Sequence, residues 1–469
     1  MNKAINVISI LSLTLSASAC NGASEEPAQP ADQEQAELSR PNIIFIMADD
    51  LGYGHLGSYG QTDIETPELD QLASDGLRYT QAYAGSTVCA PSRSVLMTGQ
   101  HTGHTTVRGN WGPDGERIPL KDSDVTVAEV LKSAGYKTGM IGKWGLGEPG
   151  TSGLPNKQGF DHWFGFLNQH KAHKFYPEYV WRNDRIVYLD ENETGQRETY
   201  IQDLFIEEAL QFIRAQKDEP FFLYLPFTLP HTELAAREEM VEKYRGKFDE
   251  VVWPAELGRP AVPESKATFA GMVSTLDQDV GRIVKELEIL GIAENTVVIF
   301  TSDNGAANEH GAVSEYFNGS GPLRGIKRDL YEGGIRVPLI VSWPGTIPAG
   351  AVEDVSHVTF WDFLPTFAEM AGAEIPAGLK LDGISVTPSF LDGIAVGNDR
   401  PLYWEFRRKP DASLQQAVRW GRWKAVRLSE DADLEIYDLQ EDLGETRNVA
   451  DQHPDLIEKI EEFLRTARD

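Results

Sequence analysis

The sequence predicts an α/β fold: a mixed, mostly parallel central sheet sandwiched by helices, followed by a smaller C-terminal α+β subdomain with a short antiparallel sheet. Three observations predict it. First, five segments read as strands, most of them built on a continuous apolar stretch: "PNIIFIMADD" (41–50), "KTGMIGKW" (137–144), "EPFFLYLPF" (219–227), "NTVVIFTSDNG" (295–305) and "RVPLIVSWPG" (336–345). Strands that are apolar throughout, rather than at alternate positions, are buried on both faces, as in parallel sheets. Second, helical patterns separate them. "TVAEVLKSAGY" (126–136) runs straight into a strand. "YIQDLFIEEALQFIRAQ" (200–216) spaces its apolar residues helically. "ATFAGMVSTLDQDVGRIVKELEILG" (267–291) is a long helix stopped by Gly291. Third, the chain changes character near Asn398. "PLYWEF", "LQQAVRWGRWKAVRL" and "LEIYDLQED" read as short antiparallel strands. "HPDLIEKIEEFLRTARD" reads as a terminal helix, with Asp455 and Glu458 early and Arg465 and Arg468 late, matching the helix dipole.

The expected organisation follows the chain. Residues 1–19, "MNKAINVISILSLTLSASA", have the charge, apolar stretch and small-residue end of a secretory signal. Cys20 follows Ala17, Ser18 and Ala19, so ordinary signal cleavage near Ala19 competes with cleavage just before Cys20 and its acylation; a lipid anchor at Cys20 is the expectation, with the protein exported to the periplasm or cell surface. Residues 20–39 are polar, acidic and Pro-containing and read as a disordered tether. Residues 40–395 form the expected catalytic domain and 396–469 the C-terminal subdomain. No other run is apolar enough to span a membrane.

Lys and Arg total 43 against 72 acids, a formal charge of -29 over 469 residues. That balance excludes nucleic-acid binding by a basic surface. An anionic substrate would need a site made locally basic. Beyond Cys20 the chain has one cysteine, Cys89, so no disulfide can form within the mature domain. A lone cysteine in an oxidising compartment is either a small buried hydrophobe or a group with special chemistry.

Ligands of open α/β sheets bind at the carboxyl ends of strands. Asp49 and Asp50 stand at the end of the first run, Asp303 and Asn304 at the end of the fourth. Each pair alone could cap a turn. Together they crowd carboxylates that a hard divalent cation would relieve, with oxygen donors suited to calcium or, less well, magnesium. Cys89 lies in "VCAPSRSVLMTG", where Pro91 favours a first helical turn and Gly99 a stop. Cys89 is thus placed at a helix N-terminus, with Arg93 on the same face. A thiol beside a hard cation is a mismatch that an oxygen-bearing side chain would remove.

"CAPSR", followed by "TGQHTGHT", resembles the Cys-x-Pro-Ser-Arg signature of the type I, formylglycine-dependent sulfatases of the alkaline phosphatase superfamily. The resemblance runs from "PNIIFIMADD" to "YDLQEDLGETRNVA". It implies that Cys89 is oxidised to formylglycine before folding by a formylglycine-generating enzyme, and that its hydrated aldehyde is the nucleophile. It implies calcium held by Asp49, Asp50, Asp303, Asn304 and residue 89. Arg93 would steady the nucleophile. Lys143 of "IGKWGLG", His231 of "LPHTE" and Lys327 of "GIKRDLYEGG" would bind sulfate, with His231 also the general acid. The ordered set, rather than any one member, carries the inference, since a lone loop histidine or surface lysine has an ordinary structural reading.

One departure stands out. The family commonly has histidine where "KWGLG" has Gly145, and that histidine hydrogen-bonds the nucleophile and acts as a base. His104 of "GQHTGHT", and His170 or His173 of "NQHKAHKFYPEY", are candidates to replace it and to bind substrate; the expectation is His173 or His104. The aromatic loop around them, with Trp111, Trp163 and Trp181, suits a sulfated carbohydrate, and the resemblance extends to sulfatases of sulfated galactans. Two alternatives share the motifs: hydrolysis of phosphodiesters or phosphonate monoesters, and a non-catalytic lipoprotein that binds sulfated glycans.

Overall fold

The computed structural model describes residues 40–112, 114–256, 259–309 and 313–469. The expected signal and tether lie outside the described residues. The described residues form one compact unit.

Eleven of the described strands make the large sheet. In chain order they are β1 (Asn42–Ala48), β2 (Leu77–Tyr83), β3 (Lys137–Lys143), β4 (His162–Phe166), β5 (Tyr179–Arg182), β6 (Arg185–Tyr188), β7 (Phe221–Pro226), β8 (Thr296–Ser302), β9 (Arg336–Ser342), β10 (Ala351–Glu353) and β11 (Val358–Thr359). Their order is β10-β2-β9-β8-β1-β7-β3-β4-β5-β6, with β11 also on β2. The middle, β8-β1-β7-β3-β4, is wholly parallel. β9 runs antiparallel to β8 and β2, and β5 and β6 form an antiparallel hairpin at the far edge.

Alternate residues of β1 enter opposite cores. Ile43, Phe45 and Met47 pack in one, Ile44, Ile46 and Ala48 in the other, because successive side chains of a strand point to opposite faces. The helices expected from periodicity cover these faces at Val127–Ser133, Ile201–Gln216 and Ser265–Ile289. A capping box starts the first of them: Thr126 accepts from the Glu129 amide while Glu129 accepts from that of Thr126.

The C-terminal sheet is also present: β12 (Pro401–Phe406), β13 (Gln415–Trp420), β14 (Trp423–Arg427) and β15 (Glu435–Asp438), all antiparallel. One face holds Tyr403, Val418, Ala425 and Ile436 against Ile460 and Leu464 of the terminal helix Pro454–Leu464. The other face puts Trp404, Ala417 and Val426 into the core of the large sheet. A buried ion cluster pins the two sheets together. Lys424 Nζ lies 2.8 Å from Glu332 and 3.6 Å from Glu445, all fully buried. Glu445 also accepts from the Glu332 amide at 2.7 Å.

Candidate functional site

Because β1, β3, β7 and β8 are parallel, their carboxyl ends share one edge of the sheet, where backbone ladders end and polar side chains can gather. Ala48 and Ser302 are register partners. The next residues, Asp49 and Asp50 on one strand and Asp303 and Asn304 on the other, are therefore forced side by side. β3 delivers Lys143 as its last residue. The loop after β7 brings in His231, and Lys327 arrives from the segment before β9, its amide held by the Ala306 carbonyl at 2.8 Å.

Cys89 is the first residue of the Cys89–Thr98 helix, which ends in a left-handed Gly99. Its Sγ is 3.5 Å from Asp49 Oδ1. Arg93, one turn on and fully buried, directs its fork at Asp303 Oδ2 (Nη2 at 2.7 Å, Nε at 3.3 Å) and donates from Nη1 to the Lys143 carbonyl at 2.5 Å. Lys143 Nζ donates to Asp49 Oδ2 at 2.6 Å. Lys327 Nζ donates to Asp50 Oδ2 at 2.7 Å and lies 3.3 Å from His231 Nε2. Three carboxylates thus face three cations, all buried.

Burial and charge shift these groups in opposite directions. Burial pushes the Cys89 thiol up to about 12, despite the neighbouring lysines. Burial, reinforced by Asp49, raises Asp303 to about 6. Burial would also raise Asp50, but Lys327 and His231 beside it hold its carboxyl well below the usual range. Burial lowers His231 to about 3. Its Nδ1 sits 2.7 Å from the Thr232 carbonyl. A proton on Nδ1 satisfies that oxygen and leaves Nε2 facing Lys327 and Asp50.

The oxygen donors of the cluster fit a hard cation, with the Cys89 thiol the mismatched member. Asp49, Asp50, Cys89 and His231 each offer one ligand atom, all within 4.8 Å of one another. Asn304 donates its amide nitrogen to Asp50 Oδ1 at 2.7 Å. Its Oδ1 is buried without a hydrogen-bond partner among the described residues, a costly state that a cation would relieve. A divalent ion among these balanced charges would leave the site net positive, ready for an anion.

The structure thus gathers Asp49, Asp50, Cys89, Arg93, Lys143, His231, Asp303, Asn304 and Lys327 at one place. The two histidines offered in place of the family's usual one part company. The His173 ring stacks on His231, with centroids 4.4 Å apart, and its Nδ1 is 3.4 Å from Arg259 Nη2. His104 goes elsewhere. Its Nδ1 pairs with Asp382 at 3.0 Å and its ring stacks on His101. His104 is therefore corrected to a member of the His101–His104–Asp382 group, which makes no contact with Cys89 or the acids around it. That group does not suit a metal: His101 Nδ1 already accepts from the Gly103 amide at 3.1 Å, so Nε2 carries the proton and turns it toward Asp382. His170 stands beside His173, with centroids 5.8 Å apart.

Gly145 has φ +80, and a Cβ built there would lie 1.9 Å from Gln169 Nε2. Gln169, 5% exposed, fills the space that a side chain at 145 would take, and its Nε2 has no partner among the described residues. Sequence reasoning missed both Gln169 and Arg259. The only signal for Gln169 was the absent side chain at 145. Of the tryptophans, Trp163 is core, bonded to Asn156 at 2.8 Å, Trp181 is half-buried, and Trp111 is exposed.

The profile of the sulfatase family matches residues 41–373. The chain belongs to that family. A second profile, described as the C-terminal region of N-sulphoglucosamine sulphohydrolase, matches residues 326–469 of this sulfatase. The sulfatase is 32% identical over 418 residues to an arylsulfatase of Hemicentrotus pulcherrimus, covering 84% of this chain and 69% of that one. It is 33% identical over 385 residues to the N-acetylgalactosamine-6-sulfatase of Homo sapiens, covering 78% and 68%. The crystal structure of Ps i-CgsB in complex with k-i-k-neocarrahexaose superposes with a TM-score of 0.77 at 30% identity, covering 91% and 92%. As a member of this family the protein is a sulfuric ester hydrolase.

Proposed function

We propose that this sulfatase removes sulfate from a sulfated carbohydrate, with residue 89 as formylglycine and calcium as the resident ion. The carrying observation is the setting of Cys89. Its thiol is buried, raised to about 12 by that burial, and 3.5 Å from a carboxylate in an oxygen-donor cluster. A thiol there can serve neither as an anionic nucleophile nor as a ligand for a hard cation; an oxygen at the same place serves both ends. Formylglycine would supply a hydrated aldehyde as nucleophile, and calcium would add charge stabilisation, held by Asp49, Asp50, Asp303, Asn304 and residue 89.

The chain's own residues then have distinct tasks. Arg93 braces Asp303 and the end of β3 at once. Lys143, at the end of β3, and Lys327, from its loop, converge on the carboxylates and present N–H groups to an incoming sulfate, with His231 Nε2 beside Lys327. The negative charge of a bound sulfate would favour a second proton on His231, at Nε2, from where it can pass to the leaving alcohol. His173, stacked on it, accepts from Arg259 at Nδ1, which leaves its Nε2–H as a donor. A cavity of about 580 Å³ lined by His170, His173, Tyr176, Arg197 and Arg259 opens beside this pair, a size suited to a sugar. The names of the relatives, an N-acetylgalactosamine-6-sulfatase and an enzyme crystallised with a neocarrahexaose, support the carbohydrate reading. Export and an anchor at Cys20 would place the enzyme where such polymers are met.

The test is a mass spectrum of the peptide containing residue 89, from protein made in its native host, together with sulfate release from sulfated galactan oligosaccharides. Formylglycine with sulfate release is expected. An intact thiol and no release, in a host that converts other sulfatases, would overturn the proposal.

A further inference from the structure

A second cavity, of about 470 Å³, lies next to the site. It touches the reactive cluster through two chain neighbours and one hydrogen-bonded side chain. Val88 precedes Cys89. Arg328 follows Lys327. Asn110 accepts the Ala90 amide at 3.0 Å and so caps the first turn of the Cys89–Thr98 helix.

Its lining is basic against the trend of the chain. Arg108, Arg328, Arg407, Arg408, Lys409 and Arg468 are six of 17 lining residues, with Glu405 the one carboxylate; the whole chain has 43 Lys and Arg against 72 acids. The arginines are held by acids, and all of these except Glu405 lie outside the lining. Asp329 takes Arg408 at 2.7 Å, Glu430 takes Arg407 at 2.8 Å, Glu309 pairs with Arg328 and Asp469 with Arg108. Glu405 itself is bound to Arg468 at 2.8 Å. These carboxylates fix the guanidinium groups while screening part of their charge. Lys409 is exposed and makes no ion pair among the described residues, so its charge is uncompensated. Trp111, 51% exposed, is braced by the Arg117 guanidinium 3.6 Å from its ring centroid and gives the cavity an aromatic wall. Arginine forks beside an aromatic face suit a sugar carrying an anionic oxygen group.

We propose that this cavity is a second anion subsite, which takes a non-scissile sulfate on a sugar next to the one being desulfated. Resting on the function proposed above, it makes the preferred substrate a multiply sulfated oligosaccharide rather than a singly sulfated sugar. The β12–β13 turn supplies three of its cations, Arg407, Arg408 and Lys409, so the C-terminal sheet contributes to specificity.

The test has two readouts. The first is binding to the full-length Cys89→Ala protein by calorimetry, with a galactan tetrasaccharide carrying two sulfates, its one-sulfate counterpart, and one with a uronate in place of the second sulfate. The second is KM for sulfate release by the mature enzyme. The disulfated compound is expected to bind tightest. Lys409→Ala and Arg408→Ala are each expected to weaken it about fivefold, with a smaller effect on the one-sulfate compound. An exposed lysine elsewhere, Lys217→Ala, is expected to leave both unchanged. Equal affinity for the one- and two-sulfate compounds, or affinities unmoved by both substitutions, overturns the subsite. Equal affinity for the uronate compound overturns its assignment to sulfate. Binding that depends on Lys409 without any sulfate release would retain the subsite and refute the proposed reaction instead.

Discussion

Gly145 makes a quantitative prediction. At φ +80 a side chain in the left-handed region costs about 1–2 kcal/mol. A new Cβ also meets Gln169 at 1.9 Å (Nε2), 2.7 Å (Cδ) and 3.2 Å (Cγ). Gln169 must then leave its rotamer inside a buried site, at a further cost of about 0.5–1.5 kcal/mol. Gly145→Ala is therefore expected to lose about 1.5–3.5 kcal/mol in urea unfolding. Gln169→Ala clears the obstruction but not the backbone strain. A double-mutant cycle should accordingly return a favourable coupling of about 1 kcal/mol, with the backbone cost remaining. Gly145→His, which restores the residue common in the family, should be tolerated better in the Gln169→Ala background than alone. Unchanged stability in Gly145→Ala, or zero coupling with Gln169→Ala, would refute the reasoning.

Three further outcomes are expected. His173→Ala should lower kcat about 10²-fold or more on a sulfated oligosaccharide, while His104→Ala, which loses the Asp382 pair and the stack on His101, should keep kcat and lower thermal stability. Chelation should lower the melting temperature, with calcium restoring it better than magnesium; a melting temperature indifferent to chelator and ion would count against the Asp49, Asp50 and Asn304 cluster as a cation site. Burial raises Glu445 from the usual 4.5 to about 7, so the folded state holds a proton there that the unfolded chain has released. This contribution to stability is full below about pH 4.5 and is lost as pH rises through 7. Glu445→Gln should flatten that decline in melting temperature between pH 5 and 8, and a decline as steep as in the wild type would contradict it.

The parts of the fold most legible in the sequence are those buried on both sides. β1, β7, β8 and β9 announce themselves because every position is buried and the middle of each is a continuous apolar stretch. β2, "LRYTQAY", and β6, "RIVY", do not, since they leave positions partly or fully open to solvent and mix polar with apolar residues as loops do. The β5–β6 hairpin accordingly read as a polar aromatic loop, although Asn183, at φ 53, marks its turn. The acidic side of the site was legible for a topological reason: acids at the ends of two parallel strands must meet. His104 was not, because its fate depends on Asp382, which lies 278 positions away. Gln169 was invisible except as the reason a glycine is tolerated at 145.

The burial of Cys89, 2% exposed, bears on timing. If residue 89 is oxidised as proposed, the enzyme that does so can reach it only in the unfolded chain, so maturation is a race against folding. The central ladder slows that race. β1 pairs directly with β8, Asn42 opposite Thr296, and contacts so distant in sequence form slowly. Roughly 200 residues separate Cys89 from the end of β8, about 10–40 s of synthesis at typical rates. The same strand order that assembles the site thereby holds its nucleophile open to modification, and variants that fold faster would be expected to emerge less fully converted.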